Sequence, residues 1–272
     1  MRVLVTGAAG SIGQVVVAGL LDAGHEVVGL DRSPAPTGWT VPWHTTDCAD
    51  PEDVAAVFAE QAAEGAPVEA VVHLAGHPGE GGLVDSVTSH TVTTAALLEA
   101  MLVHRVDRIV YASSNHAVGG TPHAPYGPAA PLPVGTPPRP DTYYGLAKVA
   151  AEALLQLFAD RHGVHAVACR IGSFLDEPTT ERHRATWLSP GDCVRMVLAA
   201  LTVPAPGYVA IYGVSANTRG WWDLAPGRAI GYEPRDDAET FAAGIAARPE
   251  DDVEGARVGG PFATAEFWRP AF

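Results

Sequence analysis

Alternating strand-like and helix-like segments in the first 170 residues predict an α/β protein with a parallel sheet. A glycine-rich turn joins the first predicted strand to the first predicted helix, and an acidic residue ends the second strand. These observations together predict a Rossmann-type doubly wound parallel sheet. The shorter, irregular segments after residue 170 predict a small C-terminal substrate-binding lobe that covers the site.

The composition narrows the class of protein. Of the 272 residues, 47% are hydrophobic and 18% are charged, and no apolar run reaches the length of a membrane span. The net charge of −14 disfavours binding to nucleic acid or to anionic membranes. Three scattered cysteines and the lack of a basic, apolar leader predict a cytoplasmic protein without a disulfide framework. No Cys/His spacing predicts a metal site.

The first 31 residues carry the signs of a dinucleotide site. Residues 2–6 and 27–30 predict strands that flank a helix at 15–21, and the turn before the helix reads Gly7-Ala-Ala-Gly10-Ser11-Ile12-Gly13. Such a turn lets backbone N–H groups at a helix N-terminus approach a pyrophosphate. Asp31 can accept hydrogen bonds from an adenosine ribose and would repel a 2′-phosphate. We therefore predict NAD as cofactor, while the neighbouring Arg32 leaves NADP open.

The alternation continues to residue 112. A helix is predicted at 52–63, a strand at 68–74, a helix at 86–102 and a strand at 108–112. Asp47 either meets the adenine amino group or serves as a turn or cap residue. Leu74 and Ala75 end a strand where a small residue lets the backbone pass close to a cofactor. Because ligands of open parallel sheets bind at the carboxyl ends of strands, we expect Asp31, Ala75 and Ser114 to share one crevice with the glycine turn.

A helix that opens with Tyr143-Tyr144-Gly-Leu-Ala147-Lys148 follows a Pro- and Gly-rich loop at 119–140. Tyr144 and Lys148 share a helix face because they are four residues apart, whereas Tyr143 has only Ala147 at that spacing. An ammonium group favours the phenolate, but lowering a tyrosine pKa from about 10 to about 7 requires about 4 kcal/mol. A second positive charge, such as an oxidised nicotinamide, is therefore needed. The alternative interpretation of the pair is an ordinary helix start with an exposed lysine.

The remaining segments suggest how the chain divides. A strand is predicted at 164–170, a helix at 192–201 and a strand at 208–212. We predict a dinucleotide-binding domain at 1–170 and a substrate-binding lobe at 171–272, with residues from about 190 to 215 completing the sheet.

The order and spacing of these motifs over about 170 residues resemble the extended short-chain dehydrogenase/reductase family. The motifs are Thr6-Gly-x-x-Gly-x-x-Gly13, Asp31, His73-Leu-Ala-Gly, Ser113-Ser114 and Tyr144-x-x-x-Lys148. A second set resembles uronate dehydrogenases within that family: Ser113-Ser-Asn115-His116, Arg170-Ile-Gly-Ser173, Glu177-Pro178, Arg182, Thr186-Trp-Leu-Ser189, and Ser215-Ala-Asn217 through Gly220-Trp-Trp-Asp223. This resemblance implies NAD-dependent oxidation of a hexuronic acid, glucuronate or galacturonate, at C1 to the aldaro-lactone.

The resemblance also implies catalytic roles. Tyr144 would remove the proton of the C1 hydroxyl as hydride passes from C1 to the nicotinamide. Ser114 would hold that hydroxyl in line. Lys148 would lower the Tyr144 pKa and bind the nicotinamide ribose.

Substrate contacts follow from the same resemblance. Arg182 and Ser173 would bind the C6 carboxylate, for which a planar guanidinium is well suited. The residues alone favour a surface arginine in a loop, with Arg184 nearby. Asn115 and His116 would contact sugar hydroxyls, and Phe262 would either close over the sugar ring or pack in the core.

Some features depart from the family pattern and leave alternatives open. His90 stands where relatives often carry an Asn that supports the lysine, and Pro78 lies where uronate enzymes carry a small polar residue. An NAD(P)-dependent epimerase, dehydratase or reductase acting on a sugar or nucleotide sugar is the alternative enzyme, although only about 100 residues follow Arg170. A nucleotide-sensing binding protein is the non-enzymatic alternative. The family also implies a homo-oligomer, usually a dimer through the helix that bears Tyr144.

Overall fold

The structure is a computed structural model that describes residues 1–272. Its strands are β1 Arg2–Thr6, β2 Glu26–Asp31, β3 Trp43–Thr45, β4 Ala70–His73, β5 Arg108–Ser114, β6 His165–Ile171, β7 Ser173–Phe174, β8 Trp187–Leu188 and β9 Tyr208–Gly213. Seven of them form one parallel sheet in the order β3-β2-β1-β4-β5-β6-β9, and β7 pairs with β8. This order confirms the predicted Rossmann-type doubly wound sheet.

Helices cover both faces of the sheet. They are α1 Ser11–Asp22, α2 Pro51–Ala63, α3 Leu83–Val87, α4 Thr93–His104, α5 Tyr143–His162, α6 His183–Thr186, α7 Pro190–Thr202, α8 Ala225–Ala229 and α9 Asp251–Glu254. Short 3₁₀ turns lie at Asn115–Val118, Ala238–Gly244, Gly260–Ala263 and Ala265–Phe267. None of the helices has the length and apolar character needed to span a bilayer.

The apolar runs of the strands build two core layers. Val3 and Val5 of β1 pack on the side of α1 and α7, whereas Leu4 packs on the side of α2, α4 and α5. All three side chains are fully buried. A parallel sheet covered on both faces needs such continuous apolar strands, because alternate residues point to opposite layers. The sheet therefore holds the carboxyl ends of its strands as a rigid edge.

The helix predicted at 86–102 is interrupted in the structure. A π-helical turn, Thr88–Val92, separates α3 from α4. The hydroxyl of Thr93 donates to the carbonyl oxygen of Ser89 at 2.9 Å, and that of Thr94 donates to the carbonyl oxygen of His90 at 2.6 Å. Threonine hydroxyls thus add hydrogen bonds to carbonyl groups of the widened turn. The result places the His90 side chain inside the protein.

Residues after 170 both extend the sheet and cover its edge. β9 pairs with β6, and α7 packs beside α1. A third apolar cluster joins the Pro-rich loop to the C-terminal segments through Leu132, Trp222 and Val258. The division of the chain at residue 170 remains a prediction.

Candidate active site

A cavity of about 620 Å³ lies at the carboxyl edge of the sheet. Its wall includes Gly7, Gly10, Ser11, Ile12, Gly13, Asp31, Arg32, Asp47, Leu74 and Ala75. Gly7 follows β1 and Leu74 follows β4, which are the neighbouring strands where the sheet order changes direction. Such a switch point is where open α/β sheets bind ligands. The structure therefore brings together all the predicted cofactor residues except Tyr144 and Lys148, which lie beyond His90.

The glycine-rich turn is tight enough to exclude any side chain at two positions. Gly7 has φ +68°, and a Cβ atom there would lie 2.7 Å from the backbone nitrogen of Ala75. A Cβ atom on Gly13 would lie 2.2 Å from the carbonyl oxygen of Gly7. Gly10 begins α1 without a side-chain cap, so the first N–H groups of the helix face the cavity unoccupied by any side chain. This arrangement fits a pyrophosphate.

Asp31 and Asp47, the acidic residues predicted to meet the adenosine of the cofactor, are fixed by backbone contacts. Asp31 accepts hydrogen bonds from the N–H groups of Ala9 at 3.0 Å and Ser33 at 2.9 Å. Asp47 accepts from the N–H group of Ala49 at 2.9 Å, which is the turn geometry that the sequence left open. Its position in the cavity wall keeps the adenine contact available as well.

Tyr144 and Lys148 lie on one face of α5, as their spacing indicates. The Lys148 ammonium donates to the carbonyl oxygen of Ala112 at 2.7 Å and lies 5.5 Å from the centre of the Tyr144 ring. Burial lowers the pKa of Lys148 to about 7, and the Glu152 carboxylate opposes this shift. Burial raises the pKa of Tyr144, while the Ser114 hydroxyl lowers it. The pKa of Tyr144 in the chain alone is therefore raised and not lowered, because desolvation outweighs the hydrogen bond with Ser114.

A buried network fixes the inner part of the same helix face. Glu152 accepts from the hydroxyl of Ser113 at 2.5 Å and from two nitrogens of Arg170 at 3.0 and 2.8 Å. The acid and the guanidinium form a bidentate pair that joins α5 to β6, while Ser113 belongs to β5. The lysine therefore stands on a helix that is tied to two strands.

His90 occupies the wall between the cavity and Tyr144. Its ring centre lies 5.0 Å from that of Tyr144 in an edge-on arrangement. Its Nε2 atom donates to the carbonyl oxygen of His77 at 3.0 Å, which leaves Nδ1 as a bare acceptor. Nδ1 is buried without a partner. Burial, and then the charge of Lys148, lower the pKa of His90 to about 2, so the ring is neutral.

The polar residues at and after the end of β5 form the opposite side of the site. Ser114 accepts from the N–H group of His116 at 3.2 Å and donates to Asn115 at 3.3 Å. His116 binds the carboxylate of Asp141 through Nδ1 at 2.7 Å. The Phe262 ring lies 4.2 Å from that of His116 and 6.4 Å from that of Tyr144. Phe262 therefore lies beside the predicted catalytic residues.

Arg182 lies next to Ser173 and has no acidic partner. Its Nη1 atom donates to the Ser173 hydroxyl at 3.2 Å, and Nη2 donates to the carbonyl oxygen of Val258 at 3.0 Å. The residue as a whole is half-buried, but its Nε atom is fully enclosed and unpartnered. Burial lowers the pKa of Arg182 to about 10, against the charge of Asp141. A cation held in this way can bind an anionic ligand.

Some residues of the site were not singled out from the sequence. Asp141 orients His116, Glu152 pairs with Arg170, and Glu80 binds the first backbone N–H groups of α5. Each partner lies between 18 and 63 residues away along the chain. No local pattern indicates such pairs, although the acid one turn after Lys148 is a local signal that could have drawn attention to Glu152. No group of three His, Cys, Asp or Glu side chains is arranged to hold a metal ion.

Fold and cavity define a dinucleotide-binding α/β protein, and comparison with known proteins identifies its family. The family model described as "NAD dependent epimerase/dehydratase family" matches residues 3–186, and the chain belongs to this family. Uronate dehydrogenase of Pseudomonas putida is 35% identical over 268 residues, which are 97% of this chain and 96% of the relative. The membership and this relative confirm the resemblance seen in the sequence.

Two further relatives bear on the site. A mutant of uronate dehydrogenase from Agrobacterium tumefaciens complexed with NAD superposes with a TM-score of 0.87 at 32% identity, covering 100% of this chain and 98% of that one. L-arabinose 1-dehydrogenase (NAD(P)(+)) of Haloferax volcanii is 35% identical over 260 residues, which are 88% of this chain and 98% of the relative.

Proposed function

We propose that this chain is an NAD-dependent uronate dehydrogenase, which oxidises a hexuronic acid such as glucuronate or galacturonate at C1 to the aldaro-lactone. The observation that carries the proposal is the guanidinium of Arg182, which no carboxylate of the chain binds. A charge that is desolvated and unpaired costs free energy, and binding an anionic ligand would offset that cost. A uronate differs from a neutral aldose in carrying such a carboxylate at C6.

The cavity fits NAD. The uncapped turn at Gly10 would offer N–H groups to the pyrophosphate, and Asp31 would bind the adenosine ribose and repel a 2′-phosphate. Tyr144 and Lys148 would meet the nicotinamide ribose at the far end. When bound, NAD would supply the hydride acceptor and a positive charge beside Tyr144.

The acid–base step belongs to Tyr144. Its phenolate would accept the proton of the C1 hydroxyl while Ser114 holds that hydroxyl by a hydrogen bond. Lys148, whose pKa of about 7 shows how strongly burial disfavours its charge, gains from a neighbouring phenolate. The two charges stabilise each other, which favours the active form near neutral pH. The substrate carbon is at the aldehyde level, so oxidation with the ring closed gives a lactone.

The substrate would lie between the two sides of the site. Arg182 and Ser173 would bind the C6 carboxylate, and Asn115 and His116 would bind hydroxyl groups. Asp141 holds Nδ1 of His116, so the Nε2 edge is the one left for a sugar hydroxyl. Phe262 would cover the sugar ring.

A neutral aldose oxidised at C1 is the second candidate, since the L-arabinose 1-dehydrogenase relative is 35% identical to this chain. The two candidates share the acid–base residues and differ in the need for Arg182. Absorbance of reduced nicotinamide measured with NAD and a panel of glucuronate, galacturonate, glucose, L-arabinose and UDP-glucose separates them. Turnover of the uronates is expected. Turnover of neutral sugars alone, or of UDP-glucose alone, would overturn the proposal.

We also propose a homo-oligomer in the cytoplasm. The outer faces of α4 and α5 expose Val103 and Leu157, and the adjoining turn and helix start expose Val92 and Leu146. Such an apolar surface supports a dimer through these helices. The three cysteines are free and buried, which supports a reducing compartment. Sedimentation of the purified chain tests the dimer.

A further inference from the structure

One wall of the cavity is a loop whose first residues are held by hydrogen bonds. This loop, Gly76–Gly82, is called the cavity loop below, and Gly76 to Gly81 line the cavity. The N–H group of His77 donates to the Ser89 hydroxyl at 2.7 Å, and the carbonyl oxygen of His77 accepts from His90 at 3.0 Å. Both partners belong to the π-helical turn. The start of the loop therefore follows the position of that turn.

The other tie of the cavity loop is Glu80, which binds the helix that carries Tyr144. Its Oε1 atom accepts from the N–H group of Tyr143 at 3.0 Å, and its Oε2 atom accepts from that of Tyr144 at 2.9 Å. These are the first two residues of α5, whose N–H groups have no partner within the helix. Glu80 forms no ion pair within 4 Å, so its carboxylate is held by the N-terminus of α5 alone.

This cap differs from an ordinary helix cap in where it comes from. Asp50 caps α2 from the residue directly before that helix, accepting from Glu52 at 2.9 Å and Asp53 at 3.2 Å. Glu80 lies 63 residues before Tyr143 and belongs to the wall of a ligand cavity. A local cap stabilises its own helix, whereas a cap from a cavity wall also links the helix to whatever fills the cavity.

We propose that Glu80 is a positioning residue, which transmits the position of the cavity loop to the first turn of α5 and so places Tyr144 when the cofactor is bound. The inference rests on the proposed function, because that function gives Tyr144 a reaction to serve. The backbone N–H group of Tyr144 is itself one of the two that Glu80 binds. A shift of the loop would therefore move the reacting tyrosine directly, and proximity effects make small displacements costly.

Hydrogen exchange of the whole chain, measured with and without NAD, tests the link without any turnover. In the wild type we expect NAD to slow amide exchange at the glycine turn and at residues 143–146. In Glu80→Ala, NAD should still slow exchange at the glycine turn but no longer at 143–146. Glu80→Gln, which keeps one acceptor oxygen, should retain part of the effect. Asp50→Ala is the matched control, since it removes two cap contacts from α2 and should leave the response of α5 unchanged.

Kinetics supply the second readout. Glu80→Ala should lower kcat about tenfold, while KM for the sugar stays within about twofold, because the substrate contacts remain and only the tyrosine is misplaced. Equal protection of 143–146 by NAD in wild type and Glu80→Ala, or a wild type in which NAD leaves this segment unprotected, would overturn the proposal. A chain that shows the exchange pattern but turns over no uronate would remove the proposed function and leave the link between Glu80 and α5 standing.

Discussion

Two arginines near the site are held in opposite ways. Arg170, at the end of β6, is buried and forms a bidentate pair with Glu152, which keeps the pKa of its guanidinium above the usual range. Arg182, just before α6, meets only neutral oxygens, and burial lowers its pKa to about 10. The first arginine has all its charge compensated within the chain, whereas the second does not.

The difference separates structural charge from charge kept for a ligand. A compensated pair such as Arg170 and Glu152 joins elements of the fold and leaves no binding capacity over. An uncompensated guanidinium costs the folded state free energy and is useful only when an anion arrives. On this basis Arg170 should matter for stability and Arg182 for binding, and each substitution below tests one side of that contrast.

The largest effect is expected for Arg170→Met. The substitution leaves the Glu152 carboxylate buried without its partner, which should lower the free energy of unfolding by about 3–5 kcal/mol. Urea unfolding monitored by circular dichroism measures the change.

The double variant Glu152→Gln/Arg170→Met is the control for that experiment. It removes both charges, so much of the lost stability should return. A single variant as stable as the wild type would show that the pair does not support the fold, and the contrast between the two arginines would fail.

Arg182→Met should impair activity and leave stability intact, the opposite of Arg170→Met. With a uronate, kcat/KM should fall about 10²-fold, or about 2.7 kcal/mol, because charge-assisted hydrogen bonds to the carboxylate are lost. The free energy of unfolding should stay level or rise, since an unpaired charge is removed from a half-buried position. Arg182→Lys keeps the charge without the planar fork and should give an intermediate value.

Steady-state kinetics and urea unfolding on the same preparations check both halves of that expectation. Any activity toward a neutral aldose serves as the internal control and should change little. A loss of stability comparable to that of Arg170→Met, or an unchanged KM for the uronate, would place Arg182 among the structural residues.

The lining of the cavity, and the shared helix face of Tyr144 and Lys148, could be predicted from the sequence because their signals are local. Each signal depends on a few neighbouring residues and on the regular geometry of one strand or helix. The signals are the turn from Gly7 to Gly13, Asp31 at the end of β2, and the spacing of Tyr144 and Lys148. The parallel sheet follows from the same regularity. Because the carboxyl ends of parallel strands meet at one edge of the sheet, a residue predicted at such an end is also predicted to lie at that edge.

The remaining features depend on contacts between distant segments. The pairing of His116 with Asp141 and of Glu80 with α5 requires the path of loops that carry no periodic pattern. The π-helical turn was not predicted because its residues show the same pattern as an uninterrupted helix. The Tyr144 pKa was expected to fall from its charged neighbour, but burial depends on packing that spacing does not show.

His90 is a titratable group in which, as in Arg182, one buried nitrogen atom has no hydrogen-bond partner. Its pKa of about 2 in the folded chain lies below the ordinary value of 6.5. The unfolded chain therefore binds a proton below pH 6.5 that the folded chain does not, and the stability held above 6.5 is lost as the pH falls toward 2. At pH 5 the loss from this residue should be about 2 kcal/mol. His90→Asn should flatten the dependence of the unfolding free energy on pH between 6.5 and 4, and equal slopes would contradict the buried, neutral ring.

The smallest effect concerns the residue that orients the unpaired guanidinium. The Ser173 hydroxyl accepts from Nη1 of Arg182 at 3.2 Å and hydrogen-bonds to the Thr186 hydroxyl at 2.9 Å. Ser173→Ala leaves Nη1 with only the Thr186 oxygen at 3.5 Å, so the fork is less firmly oriented. The lost bond has a charged donor, but the Arg182 charge and its contact with Thr186 remain, so we expect a cost of about 1 kcal/mol. KM for the uronate should therefore rise about fivefold with little change in stability.

A double variant tests whether Ser173 acts through Arg182. If Ser173 acts by orienting the Arg182 guanidinium, Ser173→Ala in the Arg182→Met background should have almost no further effect on the uronate. Sites that act independently would instead add their free energies. An additive double variant would mean that Ser173 contacts the substrate independently of Arg182 and does not act by orienting the guanidinium.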